Sequence, residues 1–156
     1  MSLAVENVQD YPRPPLCEPV SHRLRIVHLG VLVAETTRGV RVCETHHPPT
    51  YYFPQADVLA SLRMAEGGSF CEWKGAASYW DVVSGDQVIA SAAWSYARPS
   101  DHFAAIADHV AFYANLFGSC FVGEERVIPQ PSDFYGGWVT ANLTGDIKGP
   151  PGTRHW

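Results

Sequence analysis

Glu44 and Lys74 lie among large aromatic residues in three separated blocks of this 156-residue chain. The blocks cover residues 44–54, 71–80 and 93–99. A charged side chain among aromatic rings is typical either of a ligand pocket or of a buried ion pair. The blocks therefore mark a candidate site, although no strong nucleophile, metal or phosphate motif accompanies them to define a reaction.

Glu44 and Lys74 are each predicted to lie on the strand face opposite a neighbouring cysteine. Because side chains alternate along a strand, Glu44 points away from Cys43, and Lys74 points away from Cys71. If both cysteines face the main core, Glu44 and Lys74 meet across the sheet. A lysine shielded from water can act as a base or a Schiff-base donor, and a nearby glutamate can position a substrate or move a proton. The alternatives are a structural ion pair and a solvated strand face.

Two adjacent histidines offer a second candidate for chemistry. His46 follows Glu44 by two residues, so the two side chains share a face if the strand continues, as the start of a metal site would require. Pro48 and Pro49 instead predict that the strand ends there, with His46 and His47 exposed in a loop. Since no third ligand follows at a recognisable spacing, we predict neither a metal nor a cofactor.

Composition and charge bear on the possible partners. Sixteen acidic and eleven basic residues give a net charge of -5, and the basic residues are scattered, so nucleic acid is not an expected partner. No window of about eighteen apolar residues predicts a membrane span. The N-terminus lacks the apolar stretch of a secretory signal, and the four cysteines are widely spaced, which together predict a cytosolic protein with reduced thiols.

The spacing of apolar residues predicts a mainly β chain. Residues 1–22 are rich in proline and are predicted to form an extended arm, because each proline removes an amide donor and restricts the residue before it. Residues 23–156 are predicted to form a single domain, in which a side-chain period of two indicates strands. Residues 129–156, rich in proline and glycine, are predicted to be an irregular C-terminal wrap of that domain.

Two segments have helical spacing instead. The first is a short helix that begins at Pro54 and ends before Gly67 and Gly68. The second begins at Ser100, which can cap it, and its apolar residues recur as far as Ala111. Both helices are expected to pack on the outside of the sheets.

The three aromatic blocks resemble a known family. In single-letter code they read E-T-H-H-P-P-T-Y-Y-F-P, C-E-W-K-G-A-A-S-Y-W and A-W-S-Y-A-R-P. Their content and order, together with residues 129–138, are similar to the family called domain of unknown function 427, and the similarity extends over residues 23–156. It implies a β-tent-like architecture, in which antiparallel sheets surround a groove and one or two short helices pack outside.

The resemblance also selects the predicted ligand-binding residues. The primary candidates, which match the family's motifs, are Glu44, Lys74, Tyr79, Trp94 and Tyr96. Arg41 and Tyr51 are secondary candidates. We expect an unidentified small molecule in a β-lined aromatic pocket, with acid/base catalysis as an option. In this hypothesis Lys74 recognises an anionic or carbonyl group and Glu44 recognises a polar group.

Two other functions remain open from the sequence. One is a protein or peptide interaction module, in which the proline-rich arm or the aromatic groove meets a partner chain. The other is nucleotide transfer, since the family carries a nucleotidyltransferase label and residues 67–69 followed by Asp81 resemble the glycine-serine turn and first carboxylate of such enzymes. Their two-metal chemistry needs a second acid two residues later, where this chain has Val83.

Overall fold

The computed structural model describes residues 3–131 and 135–149. Within these residues the chain is mainly β, which confirms the predicted fold class. The strands, in chain order, are β1 (Glu6–Asn7), β2 (Leu16–Pro19), β3 (Leu24–His28), β4 (Val31–Thr36), β5 (Val40–Cys43), β6 (Thr50–Pro54), β7 (Ser61–Cys71), β8 (Gly75–Ser84), β9 (Gln87–Ser95), β10 (His109–Phe112), β11 (Ser119–Val122), β12 (Glu125–Arg126), β13 (Ile128–Pro129), β14 (Trp138–Val139) and β15 (Leu143–Thr144). Short 3-10 helices cover Val8–Asp10, Gln55–Asp57, Asp101–Ile106 and Ala114–Leu116.

Two antiparallel sheets form the body of the protein. The larger sheet has the strand order β2, β5, β6, β10, β9, β8, β7, and the smaller sheet has the order β12, β11, β3, β4. A parallel pair of β1 with β15 joins the N-terminal segment to the C-terminal segment, and β13 pairs with β14. The segment predicted as an arm thus contributes β1 and β2. Within the predicted C-terminal wrap, residues 132–134 and 150–156, including Trp156, lie outside the described residues.

Both faces of the larger sheet are covered, so its central strands contribute side chains to two apolar clusters. In β6, Tyr51 and Phe53 point into the main core, which joins this sheet to β3, β4 and β11. Tyr52 points to the opposite face, where Trp94 and Phe103 belong to a second cluster. Because side chains alternate along a strand, neighbouring residues of β6 line different compartments of the protein.

The helix predicted after Pro54 is wrong. Only the 3-10 turn Gln55–Asp57 forms there, and the chain continues as β7, which pairs along its length with β8. Gly67 and Gly68 do not end a helix, because they lie within β7 at a shift in the pairing register. Although the spacing of apolar residues is typical of a helix here, pairing with the long strand β8 determines the conformation.

The second predicted helix is also wrong in its extent. The 3-10 helix Asp101–Ile106 follows Ser100, but Asp108 adopts a positive φ of 57° and the chain then enters β10. This strand fills the gap between β6 and β9, with Val110 paired to residues of both. Completing the sheet at its centre outweighs the weak helical preference of these residues.

Arg41, which is predicted for the ligand site, instead ties the N-terminal segment to β5. Its guanidinium donates to both carboxylate oxygens of Glu6 at 3.0 Å, and its Nε donates to Glu18 Oε1 at 2.8 Å. Tyr11 Oη also donates to Glu6 Oε1, at 2.5 Å. Burial raises the pKa of Glu6, but the hydrogen bonds from Arg41 and Tyr11 outweigh burial, so that this pKa lies below its ordinary value.

Acidification is therefore expected to weaken the fold through Glu6. Since the pKa of Glu6 is lower in the folded state, its contribution is complete above the ordinary value of 4.5 and is lost as the pH falls through the folded-state pKa. Replacing Glu6 with Gln should lower the free energy of unfolding at neutral pH by about 1–3 kcal/mol. The same variant should lose less stability than the wild type on acidification, as measured by urea denaturation at several pH values.

The control for this experiment is Glu124→Gln, which neutralises an exposed glutamate in the turn before β12. It should keep both the stability and the acid dependence of the wild type. An acid dependence that persists unchanged in Glu6→Gln would show that other carboxyl groups cause it.

Candidate functional site

A cavity of about 250 Å³ lies on the face of the larger sheet that carries the second cluster. We call it the aromatic cavity. Its wall includes five of the seven predicted ligand-binding residues, namely Glu44, Lys74, Tyr79, Trp94 and Tyr96. The structure thus brings the three aromatic blocks, which are distant in sequence, together at one cavity.

The other two predicted residues lie elsewhere. Arg41 is held in the ion pairs with Glu6 and Glu18 described above. Tyr51 points into the main core, where its ring centre lies 5.4 Å from that of Trp138. Burial raises the pKa of Tyr51 to about 12, so its hydroxyl stays protonated at neutral pH.

Lys74 is buried in the wall of the cavity, with 8% of its surface exposed. Its Nζ lies 3.2 Å from Cys71 Sγ, 5.7 Å from the ring centre of Tyr96 and 5.9 Å from that of Phe103. Among the described residues no carboxylate oxygen lies within 4.0 Å of this nitrogen, so Glu44 shares the cavity with Lys74 without forming an ion pair. Within the part of the chain that the structure describes, the groups that compensate this ammonium are a sulfur atom and two ring faces.

The hairpin between β7 and β8 explains how the lysine reaches this position. β7 ends at Cys71, and residues 72–74 turn the chain before Gly75 begins β8 with a positive φ of 105°, which glycine adopts without steric cost. The strand predicted to continue to Lys74 thus stops three residues earlier. In a turn, side chains no longer alternate, and Lys74 therefore lies beside Cys71 rather than on the opposite face.

Hydrogen bonds from Ser100 link this turn to the segment that follows β9. The Oγ of Ser100 donates to the carbonyl oxygen of Trp73 at 2.6 Å, and its backbone N–H donates to the carbonyl oxygen of Lys74 at 3.3 Å. The hydroxyl predicted as a helix cap makes no capping hydrogen bond. It positions the lysine-bearing turn instead.

Removing that hydroxyl is expected to loosen the turn. Ser100→Ala loses one partly solvated hydrogen bond, so the free energy of unfolding should fall by only about 0.5–1.5 kcal/mol. Backbone amides of residues 72–75 should exchange with solvent faster, because local opening costs less. Hydrogen exchange measured by NMR tests this, with Ser61→Ala, an exposed serine at the start of β7, as the control. Unchanged exchange in Ser100→Ala would show that backbone contacts alone hold the turn.

A buried amide organises the polar side of the cavity. Gln130 Nε2 donates to His47 Nδ1 at 3.1 Å and to the carbonyl oxygen of Lys148 at 2.7 Å, while its Oε1 accepts from the N–H of Gly137 at 3.1 Å. Burial lowers the pKa of His47, with Lys148 adding to that effect and Glu44 opposing it. The imidazole is therefore neutral at neutral pH, with Nδ1 as acceptor. The expectation of an exposed loop histidine is wrong for His47, which is buried.

Aromatic side chains form the opposite side. The rings of Trp94 and Tyr113 lie 4.5 Å apart, and Tyr79 Oη donates to Ser69 Oγ at 2.9 Å. Burial raises the pKa values of Tyr113 and Tyr96, so both phenols remain neutral donors. The cavity thus offers flat apolar surface edged by hydroxyl groups.

Comparison with known protein families gives a match. Residues 16–123 match the family described as Domain of unknown function (DUF427). The chain belongs to the DUF427 family. No curated protein matches it. The matched range contains Glu44 and Lys74, whereas Gln130 and Lys148 of this DUF427 domain lie beyond it.

The positions of the lysines point to the cavity, although the sequence predictions above use only one of them. This DUF427 domain has only two lysines, Lys74 and Lys148, and both line the aromatic cavity, whereas every other basic residue counted in its charge is an arginine. Lys148 Nζ lies 5.0 Å from the ring centre of Tyr135. The two ammonium groups are matched in number by the carboxylates of Glu44 and Glu72, which also line the cavity.

Within residues 3–131 and 135–149 of the DUF427 domain, no three His, Cys, Asp or Glu side chains are grouped so as to hold a metal ion. The same residues contain no helix that is both long and apolar enough to cross a membrane. The side chains that line the cavity include its two lysines, the carboxylates of Glu44 and Glu72, several phenols, the imidazole of His47 and the Cys71 thiol.

Proposed function

We propose that this DUF427 domain binds a small organic anion in the aromatic cavity. The Lys74 ammonium would contact the anionic group, Glu44 would accept a hydrogen bond from a polar group, and the rings of Trp94 and Tyr96 would contact an apolar portion. Ligand pockets commonly combine apolar walls with a few converging polar groups in this way.

One observation carries the proposal: a buried ammonium with no carboxylate partner among the described residues. Removing a charge from water costs several kcal/mol unless an opposite charge or hydrogen bonds compensate it. Contacts of Lys74 with Cys71 and with two ring faces compensate part of this cost. A bound anion would supply the remainder, and the resulting charge-assisted hydrogen bonds would favour binding.

The size of the cavity limits the ligand. At about 250 Å³, it is smaller than the roughly 300–1,000 Å³ typical of pockets for drug-sized molecules. A single ring or a short chain with one carboxylate fits this description better than a dinucleotide. We also propose a cytoplasmic location for this binding, since all four cysteines are free thiols, as reducing compartments maintain them.

The proposal is tested with pairs of ligands that differ in charge alone. Aromatic carboxylates, beginning with benzoate, are titrated calorimetrically beside their neutral amides, beginning with benzamide. We expect the carboxylate of at least one pair to bind more tightly, and its addition to shift the NMR signals of residues 72–75. Equal affinity for acid and amide throughout the series would contradict a role for the Lys74 charge.

A second candidate is a protein interaction module, and one feature of β7 favours it. This strand is an edge of the larger sheet, and its Met64 and Phe70 side chains are 70% and 76% exposed. Unpaired edge strands can accept a further strand from another chain. Light scattering over a range of protein concentrations, with Phe70→Ser as the comparison, tests whether this edge associates.

Nucleotide transfer receives no support from the position of Asp81. Its Oδ1 accepts a hydrogen bond from the backbone N–H of Ser91 at 2.8 Å, beside a register shift between β8 and β9. Asp81 is not among the residues that line the aromatic cavity. The glycine-serine segment before it is part of β7, and we interpret Asp81 as a residue that stabilises the irregular pairing.

A further inference from the structure

We propose that Cys71 and Lys74 form an oxidation-dependent covalent cross-link, a sulfenamide, in the wall of the aromatic cavity. The two residues flank the tight turn between β7 and β8, and Lys74 Nζ lies 3.2 Å from Cys71 Sγ. At this separation the nitrogen needs only a small movement to bond to the sulfur. Ser100 holds the turn through both its side chain and its backbone, which keeps the two atoms together.

Cys71 differs from the other cysteines in its surroundings. It is partly exposed and lines the cavity, so a small hydroperoxide can reach its sulfur. Peroxides oxidise a cysteine sulfur that they can reach, and the Lys74 nitrogen lies next to the sulfur of Cys71. Cys43 and Cys120 are buried, and burial raises the pKa of each to about 12, which makes them poor substrates for oxidation. Cys17 is partly exposed, and burial raises its pKa.

The reaction has two balanced steps, with hydrogen peroxide as the oxidant. The Cys71 thiolate attacks one peroxide oxygen, so that an S–O bond forms, the O–O bond breaks and hydroxide leaves. The hydroxide takes a proton from the Lys74 ammonium. The resulting amine attacks the sulfenic sulfur, so that an N–S bond forms, the S–O bond breaks and a second water leaves with an amine proton. The sulfur is oxidised by two electrons, the peroxide is reduced to two waters, and a dithiol reverses the cross-link.

The cross-link would also control the site. It replaces the Lys74 ammonium with an uncharged N–S group, so oxidation should weaken binding of an organic anion, a consequence that rests on the proposed function. Formation of the cross-link itself does not depend on that function. The two proposals can therefore fail separately.

Mass spectrometry of the full chain tests the cross-link. After treatment with hydrogen peroxide, we expect a product lighter by two hydrogen atoms in the wild type and in Cys17→Ser, with reversal by dithiothreitol. The product should be absent in Cys71→Ser and in Lys74→Arg, which keeps a cation but lacks the amine. Because trypsin cuts after lysine only when its ammonium is free, the oxidised wild type should resist cleavage after Lys74 until it is reduced.

Two results would overturn the proposal. One is oxidation that stops at a sulfenic or sulfinic acid on Cys71 while trypsin still cuts after Lys74. The other is a two-hydrogen loss that disappears in Cys17→Ser, which would indicate a disulfide instead. Melting temperatures establish that each variant is folded. A confirmed cross-link that leaves carboxylate affinity unchanged would support this inference and contradict the proposed function.

Discussion

Replacing Lys74 with Met is expected to lower the affinity for the best carboxylate of the test series by about 10- to 100-fold, because a hydrogen bond to a charged group contributes about 1.5–3 kcal/mol. The fold should survive. Met fills a similar volume against Cys71 and the ring of Tyr96, and it removes a buried charge without a carboxylate partner. Apolar replacement of buried charges is often neutral or stabilising, so the melting temperature should stay constant or rise. Calorimetric titration and thermal unfolding of the same variant measure both quantities.

The second lysine provides a matched control. Lys148→Met also removes an ammonium from the cavity wall, but this side chain is less buried and its Nζ lies over the ring of Tyr135. We expect its effect on carboxylate affinity to be smaller, because a solvated charge contributes less to binding. Affinity for the neutral amide should change little in either variant. If Lys74→Met unfolds the protein while Lys148→Met does not, Lys74 would be a structural residue and the site hypothesis would be wrong.

The aromatic blocks show what the sequence could reveal about this site. Period-two alternation predicted a mainly β chain, as the structure has it, and the resemblance to the DUF427 family placed the blocks within one domain. Glu44 and Tyr79 come from different strand regions, yet both line the cavity as expected. Such long-range proximity follows from the sheet order, which alternation alone does not determine.

The predictions that were wrong applied strand alternation at positions where a turn or a tertiary contact determines the structure. Tyr51 was assigned to the site, but it is Tyr52 that lines the cavity, because nothing in the sequence says which face of a strand buried on both sides meets this cavity. Lys74 was placed opposite Cys71 on a continuous strand, but the contact between them depends on the turn that begins at residue 72. Neither error could be corrected from the period of the apolar residues.

The predicted helices and the buried histidine have a related explanation. Residues 109–112 have helical spacing, but the space between β6 and β9 is filled by a strand, and the hydrogen bonds of both neighbours depend on it. His47 is buried because Gln130, more than eighty residues later, meets it. Contacts across such sequence distances follow from the assembled fold and not from local pattern.

Trp138→Ala is expected to have the largest effect on stability, lowering the free energy of unfolding by about 3–5 kcal/mol. The side chain is 1% exposed, and its ring packs against those of Tyr51 and Phe53 in the main core. Its Nε1 donates to the carbonyl oxygen of Phe112 at 3.0 Å, and its backbone N–H donates to that of Pro49 at 2.9 Å. Urea denaturation monitored by circular dichroism measures the loss.

The same substitution should also weaken ligand binding, although Trp138 does not line the cavity. Gly136, two residues before it, does line the cavity, so releasing the tryptophan anchor should displace that wall. Trp138→Phe separates the two roles of the side chain. It keeps an aromatic ring in the core but leaves the buried carbonyl of Phe112 without its donor, which should cost about 1–3 kcal/mol. If carboxylate affinity falls in the Ala variant and is largely retained in the Phe variant, packing of the tryptophan positions the wall. Full affinity in a destabilised but folded Ala variant would instead show that the segment around Gly136 is held by its other contacts, among them the hydrogen bond between Gln130 and Gly137.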